Sequence, residues 1–334
     1  MTKYLSTFTT GFEDLIPPLL QDKFPGARIL QTSPGAILYQ TSDSTEKIKQ
    51  AKFLSNTFLV INHFNAPVSL PELVSSALAD ISPGSLAPSL PAKAKTFRII
   101  YSVESQMTSL DPDSYSKLTH VIDTRLHLKF GGPKADVEFW IIVRKNGLTA
   151  FGLRLTRPHE KLAKGSLPSD VAYLLNFLSE PHKSDIFLDP FAGSGSIPLE
   201  RYYHKGFRQI TAGDLSDDHL QTMRTRFNKA LATKIQIQKI NALELPFQDN
   251  SIDKIVTDPP WGIFQTLADR SDFYRQLLRE FSRVLKENSL LVLLVSRDID
   301  ISSFLSGTPL KLIKRYDILL SGQKASVYQL RRTV

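Results

Sequence analysis

The sequence contains no cysteine in its 334 residues. This absence excludes disulfide bonds, thiolate metal sites and cysteine nucleophiles. No apolar run reaches the roughly 18 residues that a membrane-spanning helix needs, and the opening MTKYLSTFTT lacks the apolar segment of a signal peptide. We therefore expect a cytoplasmic protein with no membrane partner.

The chain also lacks a concentrated basic tail, although its net charge is +8. The positive excess is shared evenly, with +4 in residues 1–157 and +4 in the remainder. A nucleic-acid partner would therefore have to meet a basic surface that only folding assembles. The length of the chain favours two or three domains.

Metal-binding patterns are missing as well. The seven histidines form neither an HExxH motif nor a paired spacing that would place two imidazoles on one face of a helix. A surface or core role accounts for them better than a metal site. We expect no bound metal.

The two halves of the chain differ in pattern. In the first half, VEFWIIVRKNGLTAFGLRL predicts a β-hairpin that turns at Lys145-Asn146-Gly147, because Asn-Gly readily adopts the positive φ angles of a tight turn. From Asp170 onward, short apolar strands alternate with helices and end in the pair LKLIKRYDILL and ASVYQLRR. This alternation predicts an α/β domain with a mostly parallel sheet covered by helices on both faces.

The stretch IFLDPFAGSGSIPLE, residues 186–200, predicts a strand, a glycine loop and the start of a helix. Such a loop presents backbone N–H groups at the carboxyl edge of the sheet, where ligands bind. Gly193 and Gly195 would let a ligand lie against the main chain. Pro198 stands where the dinucleotide fingerprint needs its third glycine, and no Lys-Ser/Thr pair follows as in a phosphate loop. The pattern therefore favours a ligand other than NAD.

Polar residues follow the strands that flank this loop. Asp189 precedes the loop and suits a cationic amino group, whereas Asp214 ends the next strand, QITAGD, where an acid accepts hydrogen bonds from ribose hydroxyls. Asn241 and Ala242 end a third strand and could frame an adenine. Together these positions favour an adenosine that carries an amino acid.

A second motif, VTDPPWG at residues 256–262, follows the strand IDKIV. The two prolines remove backbone donors, so the carbonyl oxygens of Asp258 and Pro259 stay free as acceptors. An acid beside free carbonyl groups suits an exocyclic amine, and Trp261 offers a flat face on which a nucleobase can stack.

In this order, DPFAGSG, AGD, NALELPF and DPPW resemble the motifs of S-adenosylmethionine-dependent methyltransferases that act on nucleobase amines. The N-terminal arrangement and the junction VEFWIIVRKNGLTAFGLRLTRPHEK resemble RNA methyltransferases that carry a THUMP domain. Asn241 stands where an acid is commoner in the family. Trp261 replaces the commoner tyrosine and also occurs in adenine-N6 enzymes, so the base remains open between guanine and adenine.

The resemblance implies a Rossmann-like class I methyltransferase domain with a mostly parallel seven-stranded sheet, preceded by an α+β ferredoxin-like and THUMP RNA-binding region. The implied domains are 1–65 (ferredoxin-like), 66–157 (THUMP-like), 158–169 (connector) and 170–334 (methyltransferase). The implied cofactor is S-adenosylmethionine, held by Asp189, Phe191, Ala192, Gly193, Gly195, Asp214, Asn241 and Ala242. The implied catalytic residues are Asp258, Pro259, Pro260 and Trp261.

The implied reaction is methylation of the N2 amine of a guanosine in tRNA, at position 6 or 10, by a monomer. Arg144, Lys145, Arg157, Lys161 and Lys164 are candidates for contacts with RNA phosphates, although solvated surface charge explains each of them equally well. Methylation at pyrimidine C5 is excluded, because it requires a cysteine nucleophile. The alternatives are guanine-N2 methylation of rRNA, adenine-N6 methylation of RNA or DNA, and a non-catalytic RNA-binding protein with a vestigial pocket.

Overall fold

The fold was analysed in a computed structural model, which describes residues 1–64, 66, 68–156, 166–204, 206–227, 231, 233–262 and 270–333. The chain forms two compact units, residues 1–158 and 159–334. Each unit contains its own sheet. Among the described residues, no helix is both long enough and apolar enough to cross a membrane.

The first unit is an α+β structure. Its strands are β1 (Thr2–Thr7), β2 (Arg28–Ser33), β3 (Ala36–Thr41), β4 (Asn56–Phe64), β5 (Thr96–Val103), β6 (Gln106–Thr108), β7 (Lys129–Phe130), β8 (Val137–Val143) and β9 (Thr149–Arg154). Its α-helices are α1 (Ile16–Lys23), α2 (Thr45–Ile48), α3 (Leu70–Asp80), α4 (Pro83–Leu86) and α5 (Pro112–Leu126), and short 3₁₀ helices span Ala87–Ser89 and Gly132–Lys134.

In the part of this unit that the structure describes, one sheet of nine strands follows the order β2-β3-β1-β4-β9-β8-β5-β6, and β7 pairs with β5. The segments 1–65 and 66–157 therefore share a single sheet, and their division into two domains stays a prediction. The predicted hairpin is present as β8 and β9, in which Val143 pairs with Thr149. Gly147 adopts a φ of +84° in its turn.

The second unit is an α/β structure. Its strands are β10 (Ile186–Asp189), β11 (Gln209–Asp214), β12 (Ile235–Lys239), β13 (Ile252–Thr257), β14 (Leu285–Ser296), β15 (Leu310–Leu320) and β16 (Gln323–Arg332). Its described helices are α6 (Ser169–Leu178), α7 (Ser196–Tyr203), α8 (Asp217–Arg226) and α9 (Arg270–Val284), with a 3₁₀ helix at Ile301–Phe304.

The seven described strands of this unit follow the order β12-β11-β10-β13-β14-β16-β15. The pairs from β12 through β14 are parallel, whereas β16 is antiparallel to both β14 and β15. The sheet is therefore mostly parallel, as the sequence predicts, with one reversed strand. Continuous apolar runs form its central strands, because strands covered on both faces must be apolar throughout. Residues 290–295 of β14 are all fully buried.

The strand order changes direction between β10 and β13. The chain runs outward from β10 to β11 and β12, and then returns to the other side of β10 as β13. A ligand-binding crevice forms at such a switch point, outside the carboxyl ends of the strands. Those ends place the residues that follow β10, β11, β12 and β13 along one edge of the sheet.

Candidate active site

Asp189 ends β10 at the centre of this edge and is fully buried. Its Oδ1 accepts hydrogen bonds from the Thr257 hydroxyl at 2.7 Å and the Phe191 backbone N–H at 3.2 Å. Its Oδ2 is buried and has no partner among the described residues. Burial raises the pKa of Asp189 to about 8, and the nearby carboxylates of Asp258 and Asp214 add to this increase. The carboxyl group needs a further donor, preferably a cation, to stay ionised at neutral pH.

The glycine loop after β10 uses its two glycines differently. Gly193 has a φ of +53°, and a Cβ atom built on it would meet no atom within 4 Å, so this side of the loop is open. Gly195 has a φ of +82°, but its Cβ would lie 2.6 Å from Cζ of Phe227. The sequence predicts that both glycines face a ligand; the open space beside Gly193 is compatible with this, and the contact stays a prediction. At Gly195 the lack of a side chain instead lets Phe227 pack against the loop.

Asp214, the last residue of the neighbouring strand β11, holds the glycine loop in place. Its Oδ2 accepts a hydrogen bond of 2.9 Å from the backbone N–H of Gly193, and its Oδ1 accepts one of 2.9 Å from Ser216. His219 Nδ1 lies 3.1 Å from the same Oδ2. Each carboxylate oxygen can accept a second hydrogen bond, so Asp214 both fixes the loop and keeps capacity for hydroxyl donors.

The end of β12 brings Asn241 to the same edge. Asn241 is exposed, and its Oδ1 accepts a hydrogen bond of 3.1 Å from the Leu243 backbone N–H, so the side chain shapes its own turn. Ala242 is buried in the core of the unit. Sequence reasoning missed Leu215, which directly follows Asp214 and is 62% exposed. Its signal in the sequence is an apolar residue directly after the acid that ends a strand.

Asp258 follows β13, the strand next to β10, and is partly buried. Burial raises the pKa of Asp258 to about 7, and a hydrogen bond from Trp261 opposes this increase. Trp261 Nε1 donates that bond to Oδ1 of Asp258 over 2.8 Å. Oδ2 of Asp258 receives no hydrogen bond within the part of the chain that the structure describes, so one carboxylate oxygen is fixed and the other is available.

The prolines after Asp258 hold the turn in place. The Tyr274 hydroxyl of helix α9 donates a hydrogen bond of 3.2 Å to the Pro260 carbonyl. No described group donates to the Pro259 carbonyl. The turn therefore presents the Pro259 carbonyl and Asp258 Oδ2 as acceptors. Tyr274 is fully buried, and sequence reasoning missed it because it lies in an ordinary amphipathic helix.

Of the five residues that the sequence predicts to contact RNA phosphates, the two that the structure describes differ in how exposed they are. Arg144 is only 6% exposed and donates a hydrogen bond to the Val143 carbonyl, so it is not the exposed side chain that the sequence predicts, and its contact with RNA stays a prediction. Lys145, beside it in the hairpin turn, is exposed. Arg157, Lys161 and Lys164 lie outside the described residues.

No three His, Asp or Glu side chains of the described residues are grouped as a metal site requires. The carboxyl edge of the sheet instead presents the buried Asp189, the acceptor pair of Asp258 and the Pro259 carbonyl, and the open glycine loop at Gly193. The side chains of Leu215 and Trp261 add two apolar surfaces. A Rossmann-like unit with these groups at its strand ends is a methyltransferase domain.

Residues 156–325, just over half of the chain, match the family model UPF0020, described as an RMKL-like methyltransferase domain. The chain belongs to this family.

Relatives and one solved structure extend this result. The chain is 31% identical over 133 residues to U6 snRNA (guanine-N(2))-methyltransferase THUMPD2 of Bos taurus, which covers 40% of this chain and 26% of that protein. It is 31% identical over 222 residues to tRNA (guanine(6)-N(2))-methyltransferase THUMP3 of Bos taurus, covering 59% and 43%. The chain thus spans less than half the length of either relative.

The crystal structure of TrmN from Thermus thermophilus superposes with a TM-score of 0.81 at 22% identity and covers 99% of this chain and 100% of that one. At this identity the match shows a common fold. It extends over both units and includes the mixed sheet of the second.

Proposed function

We propose that this protein methylates the exocyclic N2 amine of a guanosine in RNA, with tRNA position 6 or 10 as the target. The observation that carries the proposal is the pair of available acceptors, Asp258 Oδ2 and the Pro259 carbonyl, beside the Asp189 and Asp214 pocket. The Thr257 hydroxyl, which bonds to Asp189, belongs to the residue directly before Asp258. The relatives named for guanine-N2 methylation of tRNA and of U6 snRNA support guanine and RNA as the substrate.

S-adenosylmethionine fits the residues at the edge of the sheet. Asp189 lacks a donor for its buried Oδ2, and the α-ammonium group of the cofactor's amino acid is a donor of the required charge. Asp214 retains capacity for the ribose hydroxyls. When bound, the cofactor supplies the methyl group.

The adenine ring requires flat apolar contacts at the next strand end. Leu215 exposes a large apolar side chain directly after Asp214. Asn241, exposed at the end of β12, has amide hydrogens that no described group accepts. The open side of Gly193 leaves room for the part of the cofactor between its ribose and its amino acid.

The chemical task of the DPPW turn is to activate an aromatic amine, whose lone pair is delocalised into the ring. Hydrogen bonds from the two amine hydrogens to Asp258 and to the Pro259 carbonyl favour tetrahedral geometry at nitrogen and localise the lone pair. The amine loses one proton as its nitrogen gains the methyl group. Asp258, with its pKa of about 7, is suited to accept that proton near neutral pH.

The target base must leave its helix to reach these acceptors. Trp261 lies three residues from Asp258 and offers the indole face on which the flipped base can stack, worth about 1–3 kcal/mol. The hydrogen bond between Trp261 and Asp258 ties the stacking surface to the carboxylate. Positioning of the amine against the transferable methyl group then provides most of the rate acceleration.

A methyl-transfer assay tests the proposal. Unmodified tRNA transcripts, U6 snRNA, rRNA fragments and duplex DNA would each be incubated with the full chain and labelled S-adenosylmethionine, and the products digested to nucleosides. We expect N2-methylguanosine from tRNA, and far less of it with the Asp258→Ala variant. Methyladenine as the product would favour the adenine-N6 alternative. RNA binding without any methylated nucleoside would favour a non-catalytic RNA-binding protein.

A further inference from the structure

A cavity of about 600 Å³ lies beside Trp261 in the second unit. Its volume falls within the roughly 300–1,000 Å³ of typical small-molecule pockets. The described residues that line it are Trp261, Gly262, Arg270, Ser296, Arg297, Asp298, Gln323 and Lys324. They come from the DPPW turn, the start of α9, the end of β14 and the start of β16.

The cavity lies at the same edge of the sheet as the cofactor residues, on the other side of Asp258. Asp189, Asp214 and Asn241 follow the strands β10, β11 and β12 on one side of β13, whereas β14 and β16 lie on the other side. Ser296 at the carboxyl end of β14 pairs with Ala325, next to Lys324. Asp258 therefore lies between two parts of this edge: the ends of β10, β11 and β12, where the cofactor is proposed to bind, and the cavity beside β14 and β16.

Three cations and one anion line this cavity. Asp298 neutralises one cation, because its Oδ2 lies 2.9 Å from Nη1 of Arg270. A hydrogen bond from Ser296 and the charge of Arg270 lower the pKa of Asp298, so this carboxyl group is ionised at neutral pH. Arg297 and Lys324 remain, and neither forms an ion pair with any described residue.

Arg297 is held in place by uncharged groups. Its Nη2 donates hydrogen bonds to the backbone carbonyls of Ile318 at 2.7 Å and Ala325 at 3.5 Å, which fix the guanidinium. The charge of Arg297 helps to lower the pKa of the nearby Asp317, but Asp317 forms its ion pair with Arg315. Its backbone N–H donates to the Lys324 carbonyl at 3.2 Å, so the two residues are neighbours across the strands. Lys324 is exposed beside it. A fixed guanidinium and a free ammonium on one wall form a site for a dianionic or monoanionic oxyanion.

We propose that Arg297 and Lys324 bind a backbone phosphate next to the target nucleotide, so that the cavity holds the sugar and phosphate of the nucleotide whose base stacks on Trp261. This inference rests on the proposed function, because a base stacked on Trp261 would belong to an RNA chain, whose backbone phosphates are anions. A flipped nucleotide carries its own phosphates about one sugar away from the base, and the cavity provides positive charge beside the stacking surface. The two residues are positioning residues that help to hold the base at Asp258.

The first test compares Lys324 with Lys311. Lys311 is also exposed and forms no ion pair with described residues, but it lies at the opposite end of the same β15–β16 hairpin, where it pairs with Arg331. We expect Lys324→Ala to raise KM for RNA by roughly tenfold, the loss of one charge-assisted contact, with kcat at saturating RNA little changed. Lys324→Glu should raise KM further, and the Lys311 variants should match the wild type.

Salt dependence and cofactor binding complete this test. Loss of one phosphate contact should reduce the slope of log binding constant against log salt by roughly 0.7–0.9. S-adenosylmethionine affinity should stay unchanged in every variant, which also shows that the site is folded. Arg297→Lys, which keeps the charge but not the two carbonyl contacts, should lie between the wild type and Lys324→Glu. Equal KM values and equal salt slopes for the Lys324 and Lys311 variants would overturn the inference.

A second test identifies the phosphate. Once nucleoside mapping has located the methylated position, a methylphosphonate can replace each flanking phosphate in turn and remove its charge. We expect one replacement to weaken binding of the wild type by more than tenfold and to weaken binding of Lys324→Ala clearly less, because only the contact from Arg297 then remains to be lost. Equal losses in both proteins would overturn the assignment. If no RNA is methylated at all, the proposed function fails instead, and the two failures are thereby distinguished.

Discussion

The indole Nε1 of Trp261 donates a hydrogen bond of 2.8 Å to Oδ1 of Asp258. This bond joins the surface proposed to hold the base to the carboxylate proposed to activate its amine. It occupies one carboxylate oxygen and leaves the other without a hydrogen bond from the described residues. It also stabilises the ionised form of Asp258 against the effect of burial. Trp261 therefore has an electrostatic effect on Asp258 in addition to its proposed stacking role.

Replacing the indole tests this second role. Trp261→Phe keeps an aromatic face but loses the N–H donor, so the pKa of Asp258 should rise above its value of about 7. The acidic limb of the pH–rate profile should then move to higher pH, while KM for RNA changes little. Trp261→Ala should raise KM as well. An unshifted pH profile in Trp261→Phe would show that the hydrogen bond does not matter in the working enzyme.

The wild-type enzyme should lose activity as pH falls through about 7. Only ionised Asp258 can accept the proton, and burial raises the pKa of Asp258 to about 7. Below that pH, kcat should fall about tenfold per pH unit. Asp258→Asn should show a lower kcat with a flat profile over the same range. Single-turnover rates between pH 5.5 and 8.5 provide the measurement.

Removal of the Asp258 carboxyl group should lower the rate of methyl transfer more than protonation of that group does at acidic pH. Asp258→Ala should lower kcat by roughly 10²–10⁴-fold, with S-adenosylmethionine affinity nearly intact because the proposed partner of Asp258 is the base. Asp253→Ala is a matched control on the same strand: this carboxylate pairs with Lys286 at the opposite end of β13. Near-normal turnover of Asp258→Ala at saturating RNA would contradict the proposed role.

Cofactor binding should release a proton from Asp189. Burial raises the pKa of Asp189 to about 8, so most of this carboxyl group is protonated at pH 7 in the free protein. An ammonium group beside it lowers the pKa and releases close to one proton on binding. Calorimetry in two buffers of different ionisation enthalpy measures this release. Asp189→Asn should bind more weakly and release none, and equal release from both proteins would place the proton elsewhere.

The two glycines of the loop should respond differently to a methyl group. Gly193→Ala meets open space and should cost about 1–2 kcal/mol for its positive φ alone. Gly195→Ala adds an overlap with Phe227 and should cost about 2–5 kcal/mol of unfolding free energy. Denaturant titration measures both.

A double mutant shows whether the overlap is the cause. Phe227→Leu shortens the ring that a Cβ at Gly195 would meet, so the two substitutions together should cost less than the sum of their separate effects. Strictly additive costs would mean that the backbone angle at Gly195, and not the contact, determines the loss.

Much of the site could be predicted from the sequence because parallel strands end at a common edge. Asp189 and Asp214 each end a short apolar strand and Asp258 directly follows one, and parallel pairing of β10 with β11 and β13 brings the three together. Their hydrogen bonds could not be predicted, since they depend on side-chain rotamers. The spacing of residues in the sequence predicts neither the hydrogen bond from Thr257 to Asp189 nor the one from Trp261 to Asp258.

The burial of Arg144 could not be predicted for a different physical reason. A hairpin tip is normally exposed, so a basic residue there predicts a surface charge. Here the tip packs against β2: Asn146 Nδ2 donates to the Thr32 carbonyl at 3.3 Å, and the Ser33 hydroxyl donates to Asn146 Oδ1 at 2.8 Å. These contacts link residues more than 100 positions apart in the chain, and no local pattern reports them.

The position of β16 also has a consequence for synthesis of the protein. This strand is the last of the described strands in the chain, yet it lies between β14 and β15. Until residues 323–332 have left the ribosome, the fully buried apolar run of β14 has an unpaired edge that can pair with other chains. The wall that carries Lys324 is absent for the same interval. A nascent chain can therefore form the strand ends proposed for the cofactor first, and the proposed phosphate site forms only after β16 has been synthesised.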